Sequence, residues 1–167
     1  EIIIFPNNKN IISAAKQAAD ISDKNVEIIC TRSFPEAVSA MILYDEESNL
    51  SDLKETMESE IEYIKTLEIT EAVKDSKVNG LAIDKGDIIG ISDDIIKVKG
   101  ADYKNVALEL FEGEWTDEEL ITIYYGEEIN KELAEEIKNN IIDKYNLNEI
   151  EVYYGGQTLY PLIISLE

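Results

Sequence analysis

The sequence predicts an α/β protein of two lobes, a Rossmann-like β-α-β lobe followed by a second α/β lobe (α+β in composition). Three observations carry this. Short, continuous apolar runs alternate with helical periodicity at the start of the chain. From Ile69 the period shortens to β-rich runs separated by turn residues. A strand, helix, strand pattern then returns between Leu120 and Tyr154. The change of period near residues 66 to 70 places the lobes at 1–68 and 69–167.

Ile2 to Phe5, bounded by Pro6, reads as a strand buried on both faces. Pro6-Asn7-Asn8-Lys9-Asn10 is a polar turn, after which Ile11, Ile12, Ala14, Ala15, Ala18, Ala19 and Ile21 recur at helical spacing. Their small size predicts close packing on a sheet. Val26 to Cys30 is a second buried strand, giving a parallel crossover. Ser33-Phe34-Pro35-Glu36 is a capping box that opens a helix carrying Ala37, Val38, Met41 and Ile42. Ser51 opens the next helix, with Leu53, Met57, Ile61 and Ile64 on one stripe.

In the second lobe the runs Ile69 to Val73, Leu81 to Ile83, Asp87 to Ile91 and Ile95 to Val98 predict an antiparallel meander. Their separators are Asn79-Gly80, Asp84-Lys85-Gly86 and Ser92-Asp93-Asp94, all residues that favour turns. A helix bearing Val106, Leu108, Leu110 and Phe111 ends near Gly113. Leu120 to Tyr125 is a strand, Asn130 caps a helix with Leu133, Ala134, Ile137 and Ile141, and Glu149 to Tyr154 is a strand again. Leu162 to Leu166 closes the lobe as a last strand.

The charge bounds the partners. The chain carries 36 acidic against 15 basic residues in 167, a formal net charge of -21. Such a field repels phosphate backbones and anionic lipid, so neither nucleic acid nor membrane is an expected partner. It suits either simple solubility or a basic partner protein. Cys30 is the single cysteine, so no internal disulfide can form, and no signal peptide or membrane span is evident. Both point to a cytoplasmic protein, with Cys30 a buried, inert thiol. The chain opens on a strand without an initiator Met, which predicts a fragment of a longer chain.

Histidine is absent. That removes the commonest general base and every Ser-His or Cys-His pair. Asp84, Asp87, Asp93 and Asp94 offer oxygens for a hard cation, but they lack EF-hand spacing and are better explained as hairpin turns. No glycine-rich phosphate loop is present. The free amides after the first strand, at Asn7 to Asn10, could hold an anion. The segment Tyr153-Tyr154-Gly155-Gly156-Gln157-Thr158-Leu159-Tyr160-Pro161 is rigid and aromatic, suited to a protein contact or to a self-packed crossover. Tyr124 and Tyr125, at the end of the neighbouring strand, could extend it.

Three segments together resemble one family. They are Ile3-Ile4-Phe5-Pro6-Asn7-Asn8-Lys9-Asn10-Ile11-Ile12, Thr31-Arg32-Ser33-Phe34-Pro35 and the Tyr153 to Pro161 loop. Over essentially its whole length the chain resembles the C-terminal domain of the ATP-binding component of bacterial fatty acid kinase, which is a DAK2 or dihydroxyacetone-kinase-like protein. That resemblance implies a two-lobed DegV-like (EDD-type) fold. It implies a non-catalytic domain whose parent is an ATP-dependent kinase, with ATP and Mg bound by a kinase domain elsewhere in the longer protein and no cofactor here. The implied partners are a DegV-type fatty-acid-carrying protein and the other domains of the parent, and a homodimer is left open. DegV proteins hold an acyl carboxylate with a Ser-rich turn and a late His-Thr-Gly-like motif. In alignment with them, Pro6-Asn7-Asn8 occupies the first position and Gln157-Thr158 the second, so the imidazole is gone. Partner docking is therefore the favoured role, and a small-ligand or fatty-acid-binding domain is the alternative. The candidate contact residues are Asn7, Asn8, Lys9 and Asn10; Thr31, Arg32 and Ser33; and Tyr154, Gly155, Gly156, Gln157 and Tyr160.

Overall fold

The computed structural model describes residues 1–78 and 80–167; Asn79, half of the predicted Asn79-Gly80 turn, lies outside the described residues. Its contacts separate into two units, Glu1–Ile64 and Lys65–Glu167.

In the first unit β1 (Ile2–Ile4) and β2 (Val26–Ile28) pair in parallel, Ile2 opposite Val26 and Ile4 opposite Ile28. Helix α1 (Lys9–Asp20) crosses between them, as the apolar periodicity requires. The expected double-sided burial of β1 does not hold. Ile2 is 41% exposed, because a two-stranded sheet gives each strand little cover. Nor does α1 pack closely: Ile12, Ala15 and Ala19 are half-buried and none of its residues is fully buried. Cys30 is also only half-buried, and its N–H donates to Glu58 Oε1 at 3.2 Å.

Helix α2 (Phe34–Ile42) starts where the capping box places it, with Ser33 Oγ accepting from Glu36 N at 3.4 Å. Its phase is the surprise. The stripe of Ala37, Val38, Met41 and Ile42 does not face the core; Pro35, Glu36, Ser39 and Ala40 do. The cause lies in the first turn. Glu36 reaches back to Arg32 N at 2.6 Å and binds its guanidinium, Nε at 3.1 Å and Nη2 at 2.8 Å. That network holds Glu36 inward, so the residues three and four positions on follow it. Helix α3 (Leu50–Glu60) and a 3-10 turn at Ile61–Tyr63 complete a small core of Ile29, Ala40, Leu53, Met57 and Ile61.

The second unit is a six-stranded sheet with helices on one face. It contains β3 (Lys65–Glu71), the hairpin β4 (Ser76–Val78) and β5 (Leu81–Ile83), β6 (Ile88–Ser92) and β7 (Ile95–Gly100). Helix α4 (Tyr103–Glu114), β8 (Ile121–Tyr125), α5 (Lys131–Tyr145), β9 (Glu151–Tyr154) and β10 (Leu162–Leu166) follow. The order across the sheet is β7-β6-β3-β10-β8-β9, antiparallel except for the β8-α5-β9 crossover. The meander expected from the turn residues is therefore interrupted: β4 and β5 form a sheet of their own. Together with Ala72 the hairpin packs over Ile89 and Ile91. β3 also starts earlier than the expected Ile69, because Thr66 and Leu67 pair with β10.

Alternation sorts the strands. Leu67, Ile69, Ile123, Leu162 and Ile164 meet Val106, Leu110, Phe111, Ile137 and Ile141 of the two helices. Gly90 is required there, since a Cβ would stand 3.0 Å from Leu110 Cδ2 and 3.2 Å from Val106 Cγ1. The opposite face carries Glu68, Ile163, Ser165, Thr122 and Tyr124, paired through Glu68 opposite Ile163 and Ile163 opposite Tyr124.

Candidate functional site

The candidate residues gather into one cluster in each unit. In the first, the turns after β1 and β2 are tied together, Thr31 Oγ1 donating to Pro6 O at 2.5 Å. Asn8 Oδ1 caps α1 by accepting from Asn10 N at 2.9 Å. Thr31 and Ser33 are buried, the first as a turn tie and the second as the α2 cap. Asn7, Lys9, Asn10 and Arg32 are exposed, and the Arg32 guanidinium is engaged by Glu36. The anion site anticipated at Asn7 to Asn10 thus shares its amides with helix capping.

In the second unit the chain from Tyr154 to Pro161 connects β9 to β10 at the C-terminal edge of the parallel pair β8 and β9. Gln157 builds this loop. Its Nε2 donates to Tyr124 O at 3.2 Å and to Tyr160 O at 3.3 Å, while its own carbonyl accepts from Glu127 N at 3.2 Å. Gly155 N donates to Tyr125 O at 2.9 Å and Gly126 N to Pro161 O at 2.8 Å. Any Cβ on Gly126 would collide with Gln157 O, which is why a glycine ends β8. Gly156 and Tyr160 both adopt positive φ, +68° and +53°, and turn the chain back.

This framework divides the loop's side chains. Gln157 turns its amide into it, and Tyr160 contributes its backbone carbonyl while its phenol is half-buried. Burial raises the Tyr160 phenol above its usual range, with the charges of Glu68 and Asp94 adding to the effect. Tyr124 is buried, its phenol pushed up to about 12 by burial, so it does not extend an aromatic surface. Tyr154 is 62% exposed, with its ring braced against Tyr125 at 5.4 Å, and Leu159 is 75% exposed. Leu159 was not among the sequence candidates. The signal for it was an apolar residue flanked by glycines, tyrosine and proline in a loop, which no core periodicity explains.

Glu68 is the other residue that the sequence reading leaves out. Burial in the sheet face pushes its carboxyl up to about 7, and Asp94 contributes in the same direction. Asp93 and Asp94 themselves, at φ +50° and +60°, make the tight two-residue turn between β6 and β7. Asp87 pairs with Lys99 at 2.7 Å. Among the described residues no group of three or more acidic or cysteine side chains is placed to hold a metal ion. No helix among them is long and apolar enough to cross a membrane. The arrangement exposes Tyr154 and Leu159 beside the edge strand β9, on a connection tied down by Gln157.

Comparison with known proteins agrees with this fold. Solved structures of similar architecture include a DegV family protein from Eubacterium eligens loaded with heptadecanoic acid, at TM-score 0.63, 14% identity, and coverage of 99% of this chain and 72% of that one. The Streptococcus pneumoniae Fatty Acid Kinase B3 protein loaded with linoleic acid gives TM-score 0.63 at 12% identity, covering 99% and 70%. A Thermotoga maritima protein described as revealing fatty acid binding function gives 0.65 at 12%, covering 99% and 68%. At these identities the likeness is one of DegV-like fold. In sequence, uncharacterized proteins of Staphylococcus aureus and Staphylococcus epidermidis are each 34% identical over 166 residues, 99% of this chain. The chain spans 30% of the length of those relatives. The family model for the C-terminal region of FakA-like fatty acid kinase proteins matches residues 1–167, and the chain belongs to that family.

Proposed function

We propose that this chain is a non-catalytic docking domain of a fatty acid kinase, and that it engages a DegV-type, fatty-acid-carrying protein. In that role it would present the carrier's lipid to a kinase domain elsewhere in the longer protein, where ATP and Mg would act. The observation that carries the reading is the Tyr154 to Pro161 loop, fixed by Gln157 and exposing Tyr154 and Leu159. Rigid aromatic and apolar side chains held in place at a strand edge give contact area at low entropic cost. The absence of histidine throughout the chain supports a binding role over acid-base chemistry.

The fold neighbours loaded with fatty acids favour a second reading, lipid capture by this domain itself. The use of Gln157 argues against it. The amide that stands in place of the DegV histidine already donates to the carbonyls of Tyr124 and Tyr160, so it is committed to the loop rather than to a carboxylate headgroup.

Tyr154→Ala and Leu159→Asp in the intact protein test the docking role. Both positions are exposed, so folding should be kept while affinity for the lipid-loaded carrier falls at least about tenfold, the scale of an interface anchor. Unchanged affinity in both variants would refute the site. Fatty acid co-purifying in native mass spectra, and lost in Gln157→Ala, would favour lipid capture instead.

A further inference from the structure

The outward stripe of α2 is unusual. Phe34 is 43%, Met41 48% and Ile42 76% exposed, and with Ala37 and Val38 they line a shallow apolar depression of about 390 Å³. Met41 also lines a second groove, of about 250 Å³, together with Glu1, Ile3, Phe5, Tyr44 and Asp45. Through Met41 the two form one surface that runs from α2 to the first residue of the chain. The α2 part is apolar, whereas the groove beside it mixes apolar with charged side chains, and exposed apolar residues gathered on one helix face in this way point to a covering partner. It lies in a unit whose two-stranded sheet is marginal on its own.

We propose that this surface is the seat of the same polypeptide's upstream segment, the residues that immediately precede position 1 in the intact protein. The family is described as a C-terminal region and the chain spans 30% of its curated relatives, so in those proteins most of the polypeptide lies upstream of the matched region. A segment entering at Glu1 emerges beside the groove that Glu1 lines. Ten residues of extended chain reach about 33 Å, more than enough to cross the exposed face of a helix of this length. The tether raises the local concentration of that segment to about the millimolar range, so a modest contact area suffices. The groove's rim also carries Asp45 and Glu46, which fits an occupant with apolar anchors and a basic flank. This inference rests on the family assignment and on α2, not on the docking loop.

The test uses the intact protein alone, with no carrier present. A photo-cross-linking benzoylphenylalanine at position 41 should join to residues upstream of position 1 within the same polypeptide, with a yield unchanged by tenfold dilution. Ile42→Cys should react with maleimide at least tenfold more slowly than Val73→Cys, a control that is 82% exposed, when each site is followed by peptide mass spectrometry. Both positions are exposed, so neither substitution threatens the fold. A cross-link to a second copy, a yield that falls on dilution, absence of any upstream cross-link, or equal labelling at positions 42 and 73 would each overturn the proposal. Carrier binding is not read in this assay, so its failure would leave the docking reading to its own test.

Discussion

Glu68 is the residue with the clearest pH signature. Its carboxyl is raised to about 7 from an ordinary 4.5, first by burial and then by Asp94. The folded state therefore binds a proton that the unfolded state releases. Stability must fall as pH rises from about 4.5 to 7 and then level off. Glu68→Gln should stabilise the protein at pH 8 and lose that advantage by pH 5, as read from denaturation midpoints; an equal gain at both would show that ionisation is not the cause. Glu118 has the opposite sign. Burial acts to raise it, but the Thr116 N–H and Lys65 outweigh that and hold it at about 2. Its contribution is present above about 4.5 and is lost as the pH falls through 2. Gln157 belongs at the same scale. Gln157→Ala strips a partner from the Tyr124 carbonyl of β8 and the Tyr160 carbonyl of the loop and should cost about 1–3 kcal/mol by chemical denaturation. A loss under a few tenths would mean that the loop is held by other contacts.

At the scale of elements, what the sequence could reveal was whatever local chemistry decides. Asn130 caps α5 and Leu162 to Leu166 is β10 as read, because a cap and an apolar run bounded by Pro161 are local signals. Asn8, Ser33 and Asn49 each accept from an amide two or three residues on, and the starts of α1, α2 and α3 were legible within about two residues, whereas the Asp102 cap of α4 was not read from the sequence. The phase of α2 was not legible. Periodicity identified an apolar stripe, but the buried Glu36, bound by the backbone N–H and the exposed guanidinium of Arg32, decided which side faces inward. The insertion of β4 and β5 was hidden for a related reason, since turn residues do not specify which strand pairs with which. In the candidate site the loop was legible as a segment, whereas the division between its half-buried Gln157 and exposed Leu159 depends on tertiary contacts. Close approach of α4 to the sheet gives an element-scale test. Gly90→Ala should cost about 1–3 kcal/mol through overpacking against Leu110 and Val106. A neutral result would show that α4 can move away without loss.

For the whole molecule the governing facts are a DegV-like fold, a net charge of -21 and a rigid loop at the edge of a parallel strand pair. In the proposed docking, the acidic surface would act over a distance and set association rate and salt dependence, while the exposed Tyr154 and Leu159 would act only on contact. The two contributions are separable in one experiment. The most direct measurement is a calorimetric titration of the intact protein with a lipid-loaded DegV-type carrier at low and high salt, repeated with Leu159→Asp. The account predicts a saturable isotherm that weakens as salt rises, and a loss of at least about tenfold in affinity for the variant. A carrier that gives no heat at high concentration, or that binds wild type and Leu159→Asp alike, would contradict docking through this loop.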